Sequence, residues 1–133
     1  MRARHSGFTL IELLIVVVII SILASIAIPL LSHTKDKAYV ASMKLDLHNL
    51  VVIEESYFFT YNTYTTTLPP ESFQASKSNS VTITGADAQG WTAVVTNPLT
   101  VTSTPSQCGV FVGDGVPPGT VPADTIEGSP GCS

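Results

Sequence analysis

The sequence predicts an α+β protein: a long N-terminal helix, apolar in its first half and amphipathic in its second, packed on a small antiparallel sheet of three or four strands, with a disulfide-closed C-terminal loop. Three observations carry this expectation. From Phe8 to Leu31 the chain is apolar on every side, with Glu12 its single charge. From Val40 to Tyr57 the apolar residues fall at three-four spacing, the mark of a helix with one buried face. After Thr60 that period stops, Thr, Ser, Gly and Pro rise, and short β-branched runs take over. The 133 residues leave room for one domain and one further feature such as a membrane segment. Charged residues make up 12% of the chain, against about 25% in ordinary globular domains.

As a helix, residues 8–31 reach about 36 Å, enough to cross a hydrocarbon core of about 30 Å. Arg2, Arg4 and His5 precede this stretch. The bias of basic residues toward the cytoplasm therefore places the N-terminus inside and residues 33–133 outside. Export also fits Cys108 and Cys132, an even pair in a short polar segment, which reads as a disulfide formed in an oxidising compartment. An ordinary signal peptide offers another reading, with Ser25-Ile26-Ala27 as the cut and Ile28 as the new start. Glu12 argues against it, because a carboxylate inside an apolar run is costly in lipid and does nothing for signal recognition. The apolar character also continues through Leu30 and Leu31, beyond that cut.

Gly7-Phe8-Thr9-Leu10-Ile11-Glu12, followed by an apolar stretch containing Pro29, resembles the start of type IV prepilins and type II secretion pseudopilins. The close resemblance covers about the first third of the chain, and the rest matches only in general layout. It implies a leader of residues 1–7, removed on the cytoplasmic side after Gly7 by a prepilin peptidase that then N-methylates Phe8. It further implies residues 8–31 as the transmembrane and filament-core half of the helix, 32–59 as its amphipathic half, and 60–133 as the small β domain with its cysteine loop. The partners so implied are copies of the same chain, an assembly platform in the inner membrane, and membrane lipid before assembly.

Elementary chemistry makes sense of the motif. Cutting before Phe8 creates an α-amine with a pKa near about 8, cationic at neutral pH. Glu12 then has a counter-ion, on its own chain or on a neighbouring one, and the family precedent is the intermolecular contact that sets axial register. Pro29 lacks an amide proton and crowds the preceding turn, so it is expected to kink the helix near Ser25 unless the helix simply ends at Ile28.

Downstream, Val40, Met43, Leu47, Leu50 and Tyr57 form the stripe, with Glu54 its polar interruption and Ile53 beside it. Lys35, Asp36, Lys37, Lys44 and Asp46 are expected mostly on other faces. One helix from about Phe8 to about Phe59 follows, roughly 75–80 Å long. Its stripe should cover a sheet built from Ser80–Thr84, Trp91–Thr96 and Gly109–Val112, bounded by Gly85, Gly90, Asn97-Pro98 and Gly113. Residues 60–79, with Leu68-Pro69-Pro70, read as an irregular surface connection. Beyond Asp114, Pro117, Pro118, Pro122 and Pro130 exclude regular structure.

No catalytic constellation is expected, nor any cofactor. His5 falls in the leader, while His33 and His48 read as solvated helix positions with no flanking nucleophile. Asp114, Asp124 and Glu127 are weak calcium candidates, scattered carboxylates without a recognisable loop motif. Tyr57, Phe58, Phe59, Tyr61 and Tyr64 could conduct charge along a filament, but a helix end packing into a sheet uses the same residues. Without Arg2 and Arg4, four lysines face ten carboxylates, so nucleic acid is a poor partner for the bulk surface. The reading is a structural subunit of a type IV pilus, serving adhesion, motility or surface contact. The alternatives are a type II secretion pseudopilin and, from another class, a secreted binding module. The cysteine pair favours the pilus, since many major pseudopilins resemble one another in relying on a calcium loop without such a bridge.

Overall fold

A computed structural model describes residues 7–100, 105–114, 121–123 and 125–133. Helix α1 spans Leu10–Tyr61 and continues through Pro29, so the helix does not end at Ile28. The expected limits, Phe8 and Phe59, are each displaced by two residues, the ordinary margin for helix ends. Within the apolar part and just beyond it the hydroxyls of Ser21, Ser25 and Thr34 donate back to the carbonyls of Val17, Ile22 and Leu30 at 2.7, 2.7 and 2.9 Å. These polar side chains are therefore satisfied inside the helix and need no partner from outside it. At the other end Asn62 adopts φ 55° and its amide donates to the Phe58 carbonyl at 2.8 Å. Asparagine tolerates this left-handed conformation, which closes the helix.

The chain divides into two compact units, residues 1–34 and 35–133. In the second, four antiparallel strands run in the order β1-β2-β3-β4: β1 Ser80–Ala86, β2 Gly90–Thr96, β3 Gln107–Gly113 and β4 Gly131–Cys132. Three of them coincide with the expected strands to within two residues at each end. On β1, Val81 and Ile83 turn inward while Ser80, Thr82 and Thr84 face solvent, the alternation of a half-buried strand. The turn into β2 is held by Asp87, whose Oδ1 accepts from the amides of Gln89 and Gly90 at 2.7 and 2.9 Å. Gly113, at φ 80°, lies so close to the Gln89 carbonyl that a Cβ would collide with it.

The core joins Met43, Leu47 and Leu50 of α1 to Trp91, Ala93 and Val95 of β2 and Cys108 and Val110 of β3. Val40, Leu68, Phe73, Val81 and Ile83 pack around its margin. The predicted stripe from Val40 to Leu50 is thus the face that covers the sheet, whereas Tyr57, expected to continue it, is half-buried and joins neither the core nor its margin.

Two expectations about polar residues fail. Asp36 and Asp46 are buried, each with 3% of its surface exposed, although these charged residues were expected mostly on faces other than the stripe. The reason at Asp46 is the connection between helix and sheet. Its carboxylate accepts from the Ser76 amide (2.9 Å), the Ser76 hydroxyl (2.7 Å) and the Asn79 side-chain amide (2.6 Å), and so fastens that irregular segment to the helix. Asn79 in turn accepts from the Asn97 side chain at 2.7 Å, extending the network to the end of β2.

Cys108 and Cys132 form a disulfide with Cα atoms 3.9 Å apart, joining β3 to β4 across 24 residues of sequence. Val121 and Pro122 press onto Gly109, where a Cβ would come within 2.9 Å of both side chains. Gly128 donates its amide to the Phe111 carbonyl at 2.8 Å, tying the loop to β3. Pro117 and Pro118 lie outside the described residues.

Candidate assembly segment: the apolar helix and its N-terminus

Residues 10–31 expose every large apolar side chain, from Leu10 at 83% to Val16 at 46%. The segment is long and apolar enough to cross a membrane, with a mean hydropathy of 3.1 in its most apolar window and none of that window buried within the chain. So much exposed apolar surface is stable only against lipid or against other apolar helices.

At its start, the Thr9 amide and hydroxyl donate to Glu12 Oε2 at 2.8 and 2.6 Å, and the Glu12 amide donates back to the Thr9 hydroxyl at 3.3 Å. This is a reciprocal cap, with threonine before the first turn and glutamate three residues on. Sequence reasoning singled out Glu12 as a charge awaiting the Phe8 amine and missed Thr9. The signal was available: Thr9-Leu10-Ile11-Glu12 has the spacing of a capping box directly ahead of an apolar run. In the uncut chain, then, Glu12 already has a local partner.

Gly7 and Phe8 are exposed just ahead of α1. A Cβ built on Gly7 meets nothing within 4 Å and its φ is not left-handed. Folding therefore places no demand for glycine at this position.

The other candidates separate from this segment. Asp114 is exposed, Asp124 lies outside the described residues, and Glu127 Oε1 accepts from the Gly113 amide at 2.8 Å. Glu127 thus anchors the cysteine loop to the end of β3, and among the described residues no three potential ligands cluster. His33 and His48 are exposed.

The aromatic residues divide into pairs: Tyr57 with Tyr61 at 4.5 Å, Phe58 with Tyr64 at 4.6 Å, and Tyr64 with Trp91 at 6.4 Å between ring centres. Tyr64 links Phe58 at the helix end to Trp91 of the sheet, whereas the Tyr57–Tyr61 pair stays on the helix with Tyr61 62% exposed, and Phe59 stands apart, 90% exposed. The Tyr64 hydroxyl donates to Glu55 Oε1 at 3.0 Å. Burial first, and then that bond and the nearby carboxylates, push its pKa up to about 12. Glu54 is fully buried: one oxygen accepts from the Thr65 amide at 3.2 Å and the other has no partner. Burial raises its pKa, partly opposed by the Thr65 bond and reinforced by Glu55.

Residues 2–28 match the family model of the prokaryotic N-terminal methylation motif. The chain is also 39% identical over 66 residues to the type II secretion system core protein G of Aeromonas hydrophila, covering 50% of this chain and 46% of that protein. It is 44% identical over 59 residues to the type IV wide pilus major component PilA4 of Thermus thermophilus, covering 44% and 45%. Against the type IV major pilin protein PilA of Myxococcus xanthus it is 46% identical over 55 residues, covering 41% and 25%. The chain spans less than half the length of these curated relatives. The chain is thus similar to type IV pilins and to type II secretion core proteins, with the methylation motif at its N-terminus, as Gly7–Glu12 and the apolar helix suggested.

Proposed function

We propose that this chain is a structural subunit of an extracellular type IV pilus, without an enzymatic site of its own. It is made as a single-pass inner-membrane precursor, N-terminus in the cytoplasm and β domain in the periplasm. A prepilin peptidase cuts after Gly7 and methylates Phe8, and the subunit leaves the lipid by exchanging it for the helices of other copies. The observation that supports this best is the exposed apolar part of α1, interrupted by Glu12 and starting three residues after Gly7 within the stretch that matches the methylation motif. On cleavage the new Phe8 amine offers Glu12 a cationic partner within one chain or between two, and Pro29 gives the rod a place to bend.

The test is mass spectrometry of filaments sheared from the producing cells. A mature chain beginning at N-methylated Phe8 is expected, and a start at Met1 or Ile28 in assembled material overturns the reading.

The match to type II secretion core protein G favours a second reading, a pseudopilin. Deleting the gene separates the two: loss of surface filaments supports the pilus, whereas loss of protein export with filaments intact supports the pseudopilin.

A further inference from the structure

Burial sorts the charges that follow the membrane-length segment by sign. Between residues 32 and 54 the chain carries three lysines and three carboxylates. Asp36, Asp46 and Glu54 are buried, at 3%, 3% and 0% exposure, whereas Lys35, Lys37 and Lys44 are exposed. The formal charge that this stretch presents to its surroundings is therefore all positive. The opposite sign begins at Glu55 and continues through Glu71, Asp87, Asp114 and Glu127, all exposed.

Position and direction decide the partner. The apolar run ends at Leu31, and Lys35 and Lys37 follow it by four and six residues. A helix rises about 6 and 9 Å over those intervals, and the headgroup layer on each side of the hydrocarbon is about 5–8 Å thick. Lysine's flexible stem can carry its ammonium toward such a layer. Two residues turn a helix by about 200°, so Lys35 and Lys37 leave α1 on opposite sides. A single neighbouring protein docks against one side of a helix and meets one of them. A lipid layer surrounds the helix and meets both. Asp36, the carboxylate between them in sequence, is buried and so is withdrawn from that surface. The matching headgroups are anionic, because a zwitterionic headgroup already neutralises its own phosphate.

We infer that Lys35 and Lys37 form a collar that binds the phosphate groups of anionic phospholipids, in the outer leaflet of the membrane that the precursor spans. This inference rests on the membrane-spanning part of the filament reading and adds a ligand class to it. A charged collar at this point sets the depth of the apolar segment before assembly.

The experiment is native mass spectrometry of the full-length chain in a non-ionic detergent, offered equal amounts of phosphatidylglycerol and phosphatidylcholine. The unaltered chain is expected to retain phosphatidylglycerol preferentially. Lys35→Gln combined with Lys37→Gln is expected to lower that preference at least about fivefold, the worth of one lysine at an anionic surface. Lys35→Arg with Lys37→Arg should keep the preference, and Lys77→Gln, an exposed position in the connection, should leave it unchanged. Arg2 and Arg4 are present in every variant, so their own attraction for lipid cancels in the comparison. Each variant is first checked for helical circular dichroism and for the Cys108–Cys132 bridge. No preference in the unaltered chain, an unchanged preference in the glutamine pair, or an equal drop from Lys77→Gln overturns the inference. Filament loss from the glutamine pair with lipid retention unchanged also overturns it, assigning the lysines to the acidic surface of a second copy and leaving the filament reading intact. Release of the unaltered chain from cell membranes by alkaline carbonate would overturn the membrane-spanning reading, and the inference with it.

Discussion

At the scale of single residues, two glutamates on one helix illustrate opposite uses of a carboxylate. Glu12 is exposed, with local donors in Thr9, and its proposed value appears only when copies meet. Replacing Glu12 with Ala removes both the cap and the counter-charge, whereas Thr9→Ala removes the cap's hydroxyl alone. If Glu12 sets register between subunits, Glu12→Ala abolishes filaments while Thr9→Ala keeps most of them, with membrane level and leader removal normal in both. Equal loss in the two variants would reduce Glu12 to a helix cap. Glu54 is buried with one oxygen unpaired, and its folded pKa lies above the unfolded value. A carboxylate shifted this way binds its proton more tightly when folded. Its neutral form therefore favours the fold fully below the unfolded pKa, and that contribution is lost as pH rises through the folded pKa. Glu54→Gln should raise the thermal midpoint of the full chain in detergent at pH 7, by the equivalent of about 1 kcal/mol. The gain should vanish near pH 4, with Trp91 fluorescence as the readout. A stabilisation independent of pH would show that charge is not the cost at this site.

At the scale of elements, periodicity made the helix and three strands legible, because a three-four stripe and alternating β-branched runs record which face is buried. The helical wheel places Asp46 beside the stripe, three residues after Met43 and four before Leu50, but nothing local shows what would satisfy a carboxylate there. Its burial comes from residues thirty or more positions away: Ser76 and Asn79 supply the donors that make a carboxylate tolerable at the edge of the core. The two-residue strand β4 was illegible for a similar reason, being defined by its pairing and its bridge rather than by any run of strand-forming residues. That bridge is the element most open to direct test. Closing 24 residues of chain contributes roughly 3 kcal/mol by loop entropy. Cys132→Ser should therefore lower domain stability by up to about 3 kcal/mol, loosening β4 and the loop while leaving helical circular dichroism unchanged. Loss of helix signal in the variant would mean that the sheet cannot hold α1 without the bridge.

At the scale of the whole molecule, the demands of folding and of processing can be separated at one residue. Gly90, Gly109 and Gly113 each sit where a Cβ would strike a neighbouring strand or loop, so the β domain needs them. Gly7 sits where a Cβ would touch nothing, so any demand for a small residue there comes from outside the folded chain. In the proposed life of this protein that outside agent is the peptidase, which must bring the Gly7–Phe8 bond into a catalytic cleft at the membrane surface. A bulky residue there blocks the approach without disturbing the fold. Gly7→Trp is accordingly expected to accumulate as uncut, unmethylated precursor in the inner membrane, with the Cys108–Cys132 bridge formed and no filaments on the cell. The checks are the mass of the membrane-extracted chain, a non-reducing gel after thiol labelling, and electron microscopy of the same culture. Filaments in wild-type number built from a chain still carrying residues 1–7 would show that assembly does not wait for the new amine, and the role assigned to the Phe8–Glu12 pair would go with it.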